Sequence, residues 1–480
     1  MIENIKSIKI KLNDMTFRYD VFLMVNLFFS FMNIEFVDED FDLSIDIDKD
    51  NVSIHSAKKD DNYTIDRDYK PSEEVKKAVF LYFRNLTGKT LPWGTLVGIR
   101  PSKKALNLLE KGYTETEIIE EFKQRHETQA EKTQLCIDVA KYEKSVVNKE
   151  KDTISLYIGM PFCPTRCVYC SFTSNPIGSC KPIVKDYLEA LTKEIRAISK
   201  YIEEKSLTIE CVYFGGGTPT SVNDEEFEDI LNKIYTNFVQ GKNIKEFTVE
   251  CGRVDSISET KLNSMRRYNV HRISINPQTM NDDTLKLIGR NHSSDEVKRC
   301  FNLARKHGFD NINMDMIVGL PGEELSHINN SCKEILKLNP DNVTIHGMSV
   351  KRGSRLHENL VNKNIFTIPE QEELNAMYEA TKKLSQDLGM KPYYMYRQKN
   401  MVGNMENVGY CRDEKICIYN IQMIEEKQTI IALGADGVSK VVFPDENRIE
   451  RFANVKDVRE YNKRIDEMIS RKIDLLNTLY

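Results

Sequence analysis

No long apolar run occurs in this 480-residue chain. The most apolar early stretch, Val21 to Ile34, is broken by Asn26, Ser30 and Asn33. It is too short and too polar to span a bilayer, and a core helix is expected there. The opening MIENIKSIKIKLND has neither the apolar segment nor the cleavage site of a secretory leader. An excess of one charge is also missing. Against 68 basic residues stand 73 acidic ones, and a net −5 gives no general pull toward nucleic acid or membrane. The eleven cysteines are odd in number and follow no pairing pattern, which excludes a regular disulfide framework. A cytoplasmic protein with thiols free for metal is expected. Tryptophan occurs once, in the breaker-rich Leu91-Pro92-Trp93-Gly94, where a buried anchor beneath a turn is expected. Low-complexity tracts are absent too. What remains is an ordinary globular composition, long enough for about three domains.

The pattern changes along the chain. Residues 1–145 alternate strand and helix signals and predict an α+β domain. Within it Phe41 to His55 reads as a hairpin about an Asp-Lys-Asp-Asn turn, and Lys76–Asn85 and Lys104–Leu109 read as helices. The lysine-rich Lys141 to Lys151 makes a natural boundary. Residues 150–350 then repeat strand and helix six times. The strands are Ile154–Gly159, Glu210–Phe214, Glu246–Cys251, His271–Asn276, Asn311–Val318 and Asn342–Met348. The clearest helix is Ile183 to Ile202, with Pro182 placed in its first turn. Another starts at Ser293, with Glu296 completing a capping box. Such units imply a parallel sheet, curved into an incomplete (β/α)6 barrel of the TIM type, with chemistry beyond the carboxyl ends of its strands. Residues 351–480 mix helices with a hairpin-like Gln428–Val442 and predict a C-terminal domain.

Three cysteines in one short loop, Cys163, Cys167 and Cys170, stand out as CxxxCxxC just after the first of these strands. Thiolates are the usual ligands of iron–sulfur clusters, and four would saturate a cubane. Three leave one iron open for an outside ligand. A zinc knuckle would want a fourth Cys or His nearby; Cys180 lies ten residues on, and no His intervenes. One unit later comes Gly215-Gly216-Gly217-Thr218-Pro219-Thr220, where glycines allow close backbone approach. Glu250, Gln278, Arg290 and Asp315 follow at or beyond successive strand ends. Glu250 could equally pair with Arg253 or Arg272, and Asp315 could cap a loop. Cys411 and Cys417 read as free thiols.

From Tyr157 to Gly322 the sequence resembles the radical S-adenosylmethionine (SAM) enzymes, and within them the oxygen-independent coproporphyrinogen III oxidase family. The strings PWGTLVGIRPSK, ECGRVDSI, RISINPQTMN, INMDMIVGLPGE, YYMYRQKNMVGNMENVGY and ALGADGVSK point to its HemZ-type, coproporphyrinogen dehydrogenase-like branch. The resemblance implies a [4Fe–4S] cluster on Cys163, Cys167 and Cys170, with the methionyl amine and carboxylate of SAM on the fourth iron. It implies that Tyr157, Gly216, Gly217, Thr218, Glu250, Gln278, Arg290 and Asp315 contact SAM, and that Tyr169 flanks the adenine. Tyr157, Glu250, Gln278 and Asp315 are the candidates for catalysis. Asp315 would accept from ribose hydroxyls or a cationic group.

The implied reaction is oxidative decarboxylation of two propionates of coproporphyrinogen III to vinyl groups, in anaerobic heme synthesis. A reductase, flavodoxin or ferredoxin would donate electrons to a monomer. Arg352, Arg355, Arg397 and Lys399 are candidates for the substrate carboxylates. Three departures separate the chain from its relatives. Gly159 replaces the oxidase's histidine, Phe172 replaces a fourth cysteine, and the heme chaperones' HNxxYW motif is missing, the nearest run being Tyr419-Asn420-Ile421-Gln422. A non-catalytic heme carrier and a radical SAM enzyme acting on heme are the alternatives.

Overall fold

The computed structural model describes residues 7–30, 32–170, 174–350, 356, 358 and 367–480. A five-stranded mixed sheet opens the chain: β1 (Ser7–Leu12), β2 (Asn33–Phe36), β3 (Leu43–Ile47), β4 (Asn51–Ser56) and β5 (Asp60–Thr64), in the order β2-β1-β3-β4-β5. The expected hairpin is the β3–β4 pair, Leu43 opposite Ser56 through Ile47 opposite Val52. Helices Arg18–Phe28 and Pro71–Thr87 cover this sheet, burying Val21, Met24, Val25 and Phe28 against Val79, Phe80 and Phe83. The apolar stretch expected as one core helix therefore stops at Phe28, and Ile34 belongs to β2.

Three further helices, Pro101–Glu110, Glu115–His126 and Ala130–Val146, form a layer around Trp93. The indole is fully buried, and its Nε1 donates to Glu406 Oε2 at 2.6 Å. Lys132 Nζ donates to the other oxygen of Glu406 at 2.6 Å. The anchor thus ties the amino-terminal third to Glu406, just before a strand and more than 300 residues away.

The second sheet has eleven strands. Its centre is six parallel strands in chain order: β6 (Thr153–Met160), β9 (Thr208–Gly216), β10 (Glu246–Val249), β11 (Arg272–Ser274), β12 (Ile312–Val318) and β13 (Asn342–Gly347). These are the expected barrel strands. Two short segments, β7 (Phe162–Cys163) and β8 (Asn175–Pro176), pair with each other beside it. The sheet continues past the six in both directions. Beyond β13 lie β15 (Asn407–Cys411) and β14 (Lys391–Tyr396), both pairings antiparallel. Beyond β6 lies β16 (Thr429–Leu433), parallel to it, and then β17 (Val438–Phe443) and β18 (Arg448–Ala453). The expected hairpin 428–442 is β16–β17, built into the barrel sheet rather than apart from it.

Helix Ile177–Glu204 packs Tyr187, Leu191, Ile195, Ile198 and Ile202 on the barrel, the stripe read from the sequence. It begins a turn and a half earlier than expected, so Pro182 lies inside it. Proline lacks an N–H there, but only the carbonyl of exposed Gly178, in the first turn, loses a partner. The capping box at Ser293 and Glu296 forms, with the hydroxyl accepting from Glu296 N at 3.3 Å and the carboxylate from Ser293 N at 2.8 Å.

Candidate active site

Strand residues point alternately inward and outward. The inward faces of β11 to β13 carry Arg272, Ser274, Asn313, Asp315, Thr344 and His346, with Asn276 just beyond β11. With the cysteine loop above them they enclose a cavity of about 590 Å3. Glu250, Gln278, Arg290, Tyr169, Gly216, Gly217, Thr218 and all three cysteines of the loop line it as well.

The loop is docked at several points. Thr165 Oγ1 donates to Gly289 O at 2.8 Å and Val168 N to Ile288 O at 3.1 Å. Each thiol receives a donor from elsewhere: Thr218 Oγ1 on Cys163 Sγ at 3.4 Å, Arg253 Nη1 on Cys167 Sγ at 3.6 Å, Ser174 Oγ on Cys170 Sγ at 3.8 Å. Donors to sulfur stabilise thiolate ligands. Burial pushes the Cys163 thiol up to about 12, so a thiolate there calls for cationic metal beside it. Among the described residues no three His, Cys, Asp or Glu groups are gathered as around a single ion. A cluster asks for something else, since each thiolate takes its own iron.

The glycine turn serves the loop directly. A Cβ on Gly217 would lie 2.6 Å from Phe162 O and 3.0 Å from Cys163 Sγ, and one on Gly215 would lie 2.6 Å from Glu250 Oε2. Gly159, where the resemblance to the oxidase leads one to expect a histidine, packs against the turn after β16: a Cβ on Gly434 would meet Gly159 O at 2.6 Å. Phe172 lies outside the described residues.

Glu250 neither pairs with Arg253 nor with Arg272. It accepts from Gly216 N at 3.4 Å, and burial together with the Asp315 charge pushes its carboxyl up to about 7. Arg253 instead grips Asp255 through two bonds, of 2.9 and 2.6 Å. Asp315 accepts from Asn313 Nδ2 at 2.7 Å and faces His346 Nε2 at 3.6 Å. Burial opposes its ionisation, yet His346, Asn313 and Arg272 prevail and hold it below the usual carboxylate range. Gln278 has a left-handed backbone, φ 67°, fixed by bonds from Gln278 N to Asp315 O and from Ile317 N to Gln278 O, each 2.9 Å. Arg290 donates to Asn276 O at 2.5 Å and to the Tyr169 hydroxyl at 3.3 Å. Tyr157 stands one layer behind the cavity, its ring 6.2 Å from Tyr213 and 6.3 Å from Tyr419.

Two of the four substrate cations expected from the sequence, Arg397 and Lys399, do not line the cavity. Arg397 is buried over the Trp93 ring and donates to Leu96 O, Asn404 O and Asn404 Oδ1 at 2.9, 2.5 and 2.7 Å. Lys399 Nζ donates to the Tyr19 hydroxyl at 2.7 Å. Arg352 and Arg355 lie outside the described residues. Cys411 and Cys417 are free, Cys417 donating to Glu246 Oε1 at 3.4 Å. Arg253, Arg272 and His346 were not picked out as site residues from the sequence. For Arg272 and His346 the signal is polar residues recurring with period two on β11 and β13; Arg253 lies in the loop after β10 and carries no such signal.

The radical SAM superfamily model matches residues 157–335, which hold the cysteine loop, the glycine turn, Glu250, Gln278, Arg290 and Asp315 but not His346. An oxygen-independent coproporphyrinogen-III oxidase-like protein, HemZ of Bacillus subtilis, is 39% identical over 415 residues, 85% of this chain and 82% of its own length. The chain belongs to this radical SAM family. A heme chaperone, HemW of the same organism, is 33% identical over 239 residues, covering 50% of this chain and 62% of the chaperone. The solved coproporphyrinogen III oxidase HemN of Escherichia coli superposes with a TM-score of 0.52 at 19% identity, over 69% of this chain and 73% of that one. That likeness bears on the fold, an incomplete TIM-type barrel. The superfamily's cofactors are a [4Fe–4S] cluster and SAM, and the cavity suits them. Three thiols with donors stand on one wall. Ser274 Oγ, Asn276 Oδ1, Gln278 Oε1 and Arg290 Nε are buried around it with no partner, which a polar ligand would supply. No helix is long and apolar enough to cross a membrane among the described residues.

Proposed function

We propose that this chain is a radical SAM oxidoreductase that decarboxylates the propionates of coproporphyrinogen III to vinyl groups. The observation carrying the proposal is the single cavity that joins a three-cysteine loop to a deep polar interior lined by Arg272, Asp315 and His346. Cys163, Cys167 and Cys170 hold the cluster. Glu250, Gln278, Arg290 and Asp315 orient SAM, and Tyr169, tethered by Arg290, flanks its adenine. The two cofactors together supply one-electron chemistry able to remove a hydrogen atom from an unactivated carbon. At the propionate, loss of that hydrogen from the β-carbon, departure of CO2 and passage of one electron to an external acceptor leave a vinyl group. The barrel walls keep water from the reacting carbon. A soluble electron donor in the cytoplasm completes the scheme.

The HemW relative favours a second reading, heme binding without turnover. One experiment separates the two: anaerobically reconstituted protein with SAM, reductant and coproporphyrinogen III, followed by mass spectrometry. Stepwise loss of two CO2 and four hydrogens, abolished in Cys167→Ala together with SAM cleavage, is the expected result. Unchanged substrate alongside tight, stoichiometric heme binding would sink the proposal.

A further inference from the structure

Among the described residues, one cation in the cavity has neither a hydrogen-bond acceptor nor an ion-pair partner. Arg272, the first residue of β11, is 2% exposed, yet among the described residues none accepts a hydrogen bond from its guanidinium or pairs with it, and Nε is buried and orphaned. The other two arginines of the cavity are engaged, Arg253 by Asp255 and Arg290 by Asn276 O and Tyr169. The carboxylates of the interior are engaged as well. Glu246 accepts from Ile418 N at 2.6 Å, at the start of helix Ile418–Glu425, and from the Thr248 hydroxyl at 3.0 Å. Asp315 takes Asn313 and faces His346, and Glu250 takes Gly216 N. Burying a guanidinium with nothing to receive its protons is strongly unfavourable. Other polar atoms of the cavity share the condition. Ser274 Oγ, two residues along on the same inward face and lining the same cavity, is buried without a partner, and so are Asn276 Oδ1 and Gln278 Oε1 beyond it.

A guanidinium with a free hydroxyl, Ser274 Oγ, on the same wall complements a carboxylate, whose paired oxygens match the guanidinium's parallel N–H groups. We infer that Arg272 anchors a ligand carboxylate at the deep end of the cavity, away from the cysteine loop. The identity of that ligand rests on the tetrapyrrole reading above, which makes it a propionate. The α-carboxylate of SAM has the same chemistry, but the family resemblance assigns it to the open iron, at the mouth.

The test uses the cluster-reconstituted full chain under anaerobic conditions, as wild type, Arg272→Gln and Arg272→Lys. Each is titrated with coproporphyrin III, with its tetramethyl ester, and with SAM. Arg272→Gln should weaken coproporphyrin binding on the order of 10- to 100-fold, the range for losing a charge-assisted hydrogen bond. Lysine should restore part of it, and the ester, which has no carboxylate, should not distinguish the three proteins. SAM affinity should stay within a factor of two or so of wild type, the change that roughly 0.4 kcal/mol produces. Weakening of SAM instead of coproporphyrin would keep the carboxylate anchor and name the cofactor as its source. Unchanged affinity for both, with wild-type melting temperature and iron content, overturns the inference. If the glutamine variant fails to fold, Arg272→Lys, which keeps the charge, carries the same comparison. A wild type that binds no coproporphyrin removes the tetrapyrrole reading, while the SAM titration still decides Arg272.

Discussion

His346 Nε2 lies 3.6 Å from Asp315 Oδ2, the two residues standing on adjacent parallel strands of the barrel. The other ring nitrogen, Nδ1, is 3.2 Å from the Tyr396 hydroxyl. Asp315 was expected to accept from ribose hydroxyls or a cationic group; the chain itself supplies a cation.

The pair makes stability depend on pH in a defined window. Burial lowers the imidazole's affinity for a proton, but Asp315 outweighs it and His346 titrates above its usual 6.5. Its contribution is complete below about 6.5 and fades as pH rises through the raised value. Asp315 titrates below its usual 3.8, so its contribution is complete above that and fades as pH falls further. Asp315→Asn should therefore cost most near pH 5, on the order of 1–3 kcal/mol, and least in alkaline solution. Thermal melts across pH check this; a cost independent of pH would refute the pairing.

Glu250 carries the opposite sign to Asp315. Its carboxyl is raised to about 7, so the folded state holds a proton that the unfolded chain releases, and stability falls between about pH 4.5 and 7. Glu250→Gln should raise stability at pH 8 by on the order of 1–3 kcal/mol while weakening SAM. Wild-type affinity for SAM should drop below pH 7, and the glutamine variant should lose that dependence. Calorimetric titration at pH 6 and 8 measures both.

Gly217→Ala should displace the cysteine loop, because the new Cβ meets the Phe162 carbonyl and the Cys163 sulfur. Iron and sulfide content after reconstitution should fall well below wild type. Gly178→Ala serves as the control: exposed, with nothing within 4 Å of its Cβ, it should gain roughly 0.5–1 kcal/mol of stability and load normally.

Arg397→Met tests the reassignment of that residue. Removing a guanidinium that donates to Leu96 and Asn404 should cost roughly 2–4 kcal/mol in denaturant unfolding. Coproporphyrin affinity of the folded protein should not move. A selective loss of that affinity, with stability intact, would return Arg397 to the substrate site.

The legible part of this molecule was its periodic part. Six barrel strands, the stripe on the helix after the cysteine loop and the capping box at Ser293 are local patterns, and local patterns survive folding. Residues in contiguous motifs, such as Gly217 beside Cys163, were found for the same reason. Arg397 was misread because nothing near it in sequence announces Trp93, which comes to it from some 300 residues away. Arg272 and His346 were passed over because each lies at an alternating polar position of a short strand, outside any contiguous motif, and only the closing of the barrel puts them on one wall. The place of β16 was hidden likewise: a hairpin declares its own turn, not the sheet it will join.

That place has a consequence for how the protein is made. The first barrel strand, β6, has β9 on one side and β16 on the other, so a ribosome must deliver Thr429–Leu433 before β6 is flanked on both edges. Until then the thiols just downstream of it hang from a raw sheet border, open to oxygen and stray metal. Maturation machinery that loads iron has its proper moment only after Thr429–Leu433 has been made and has closed that edge.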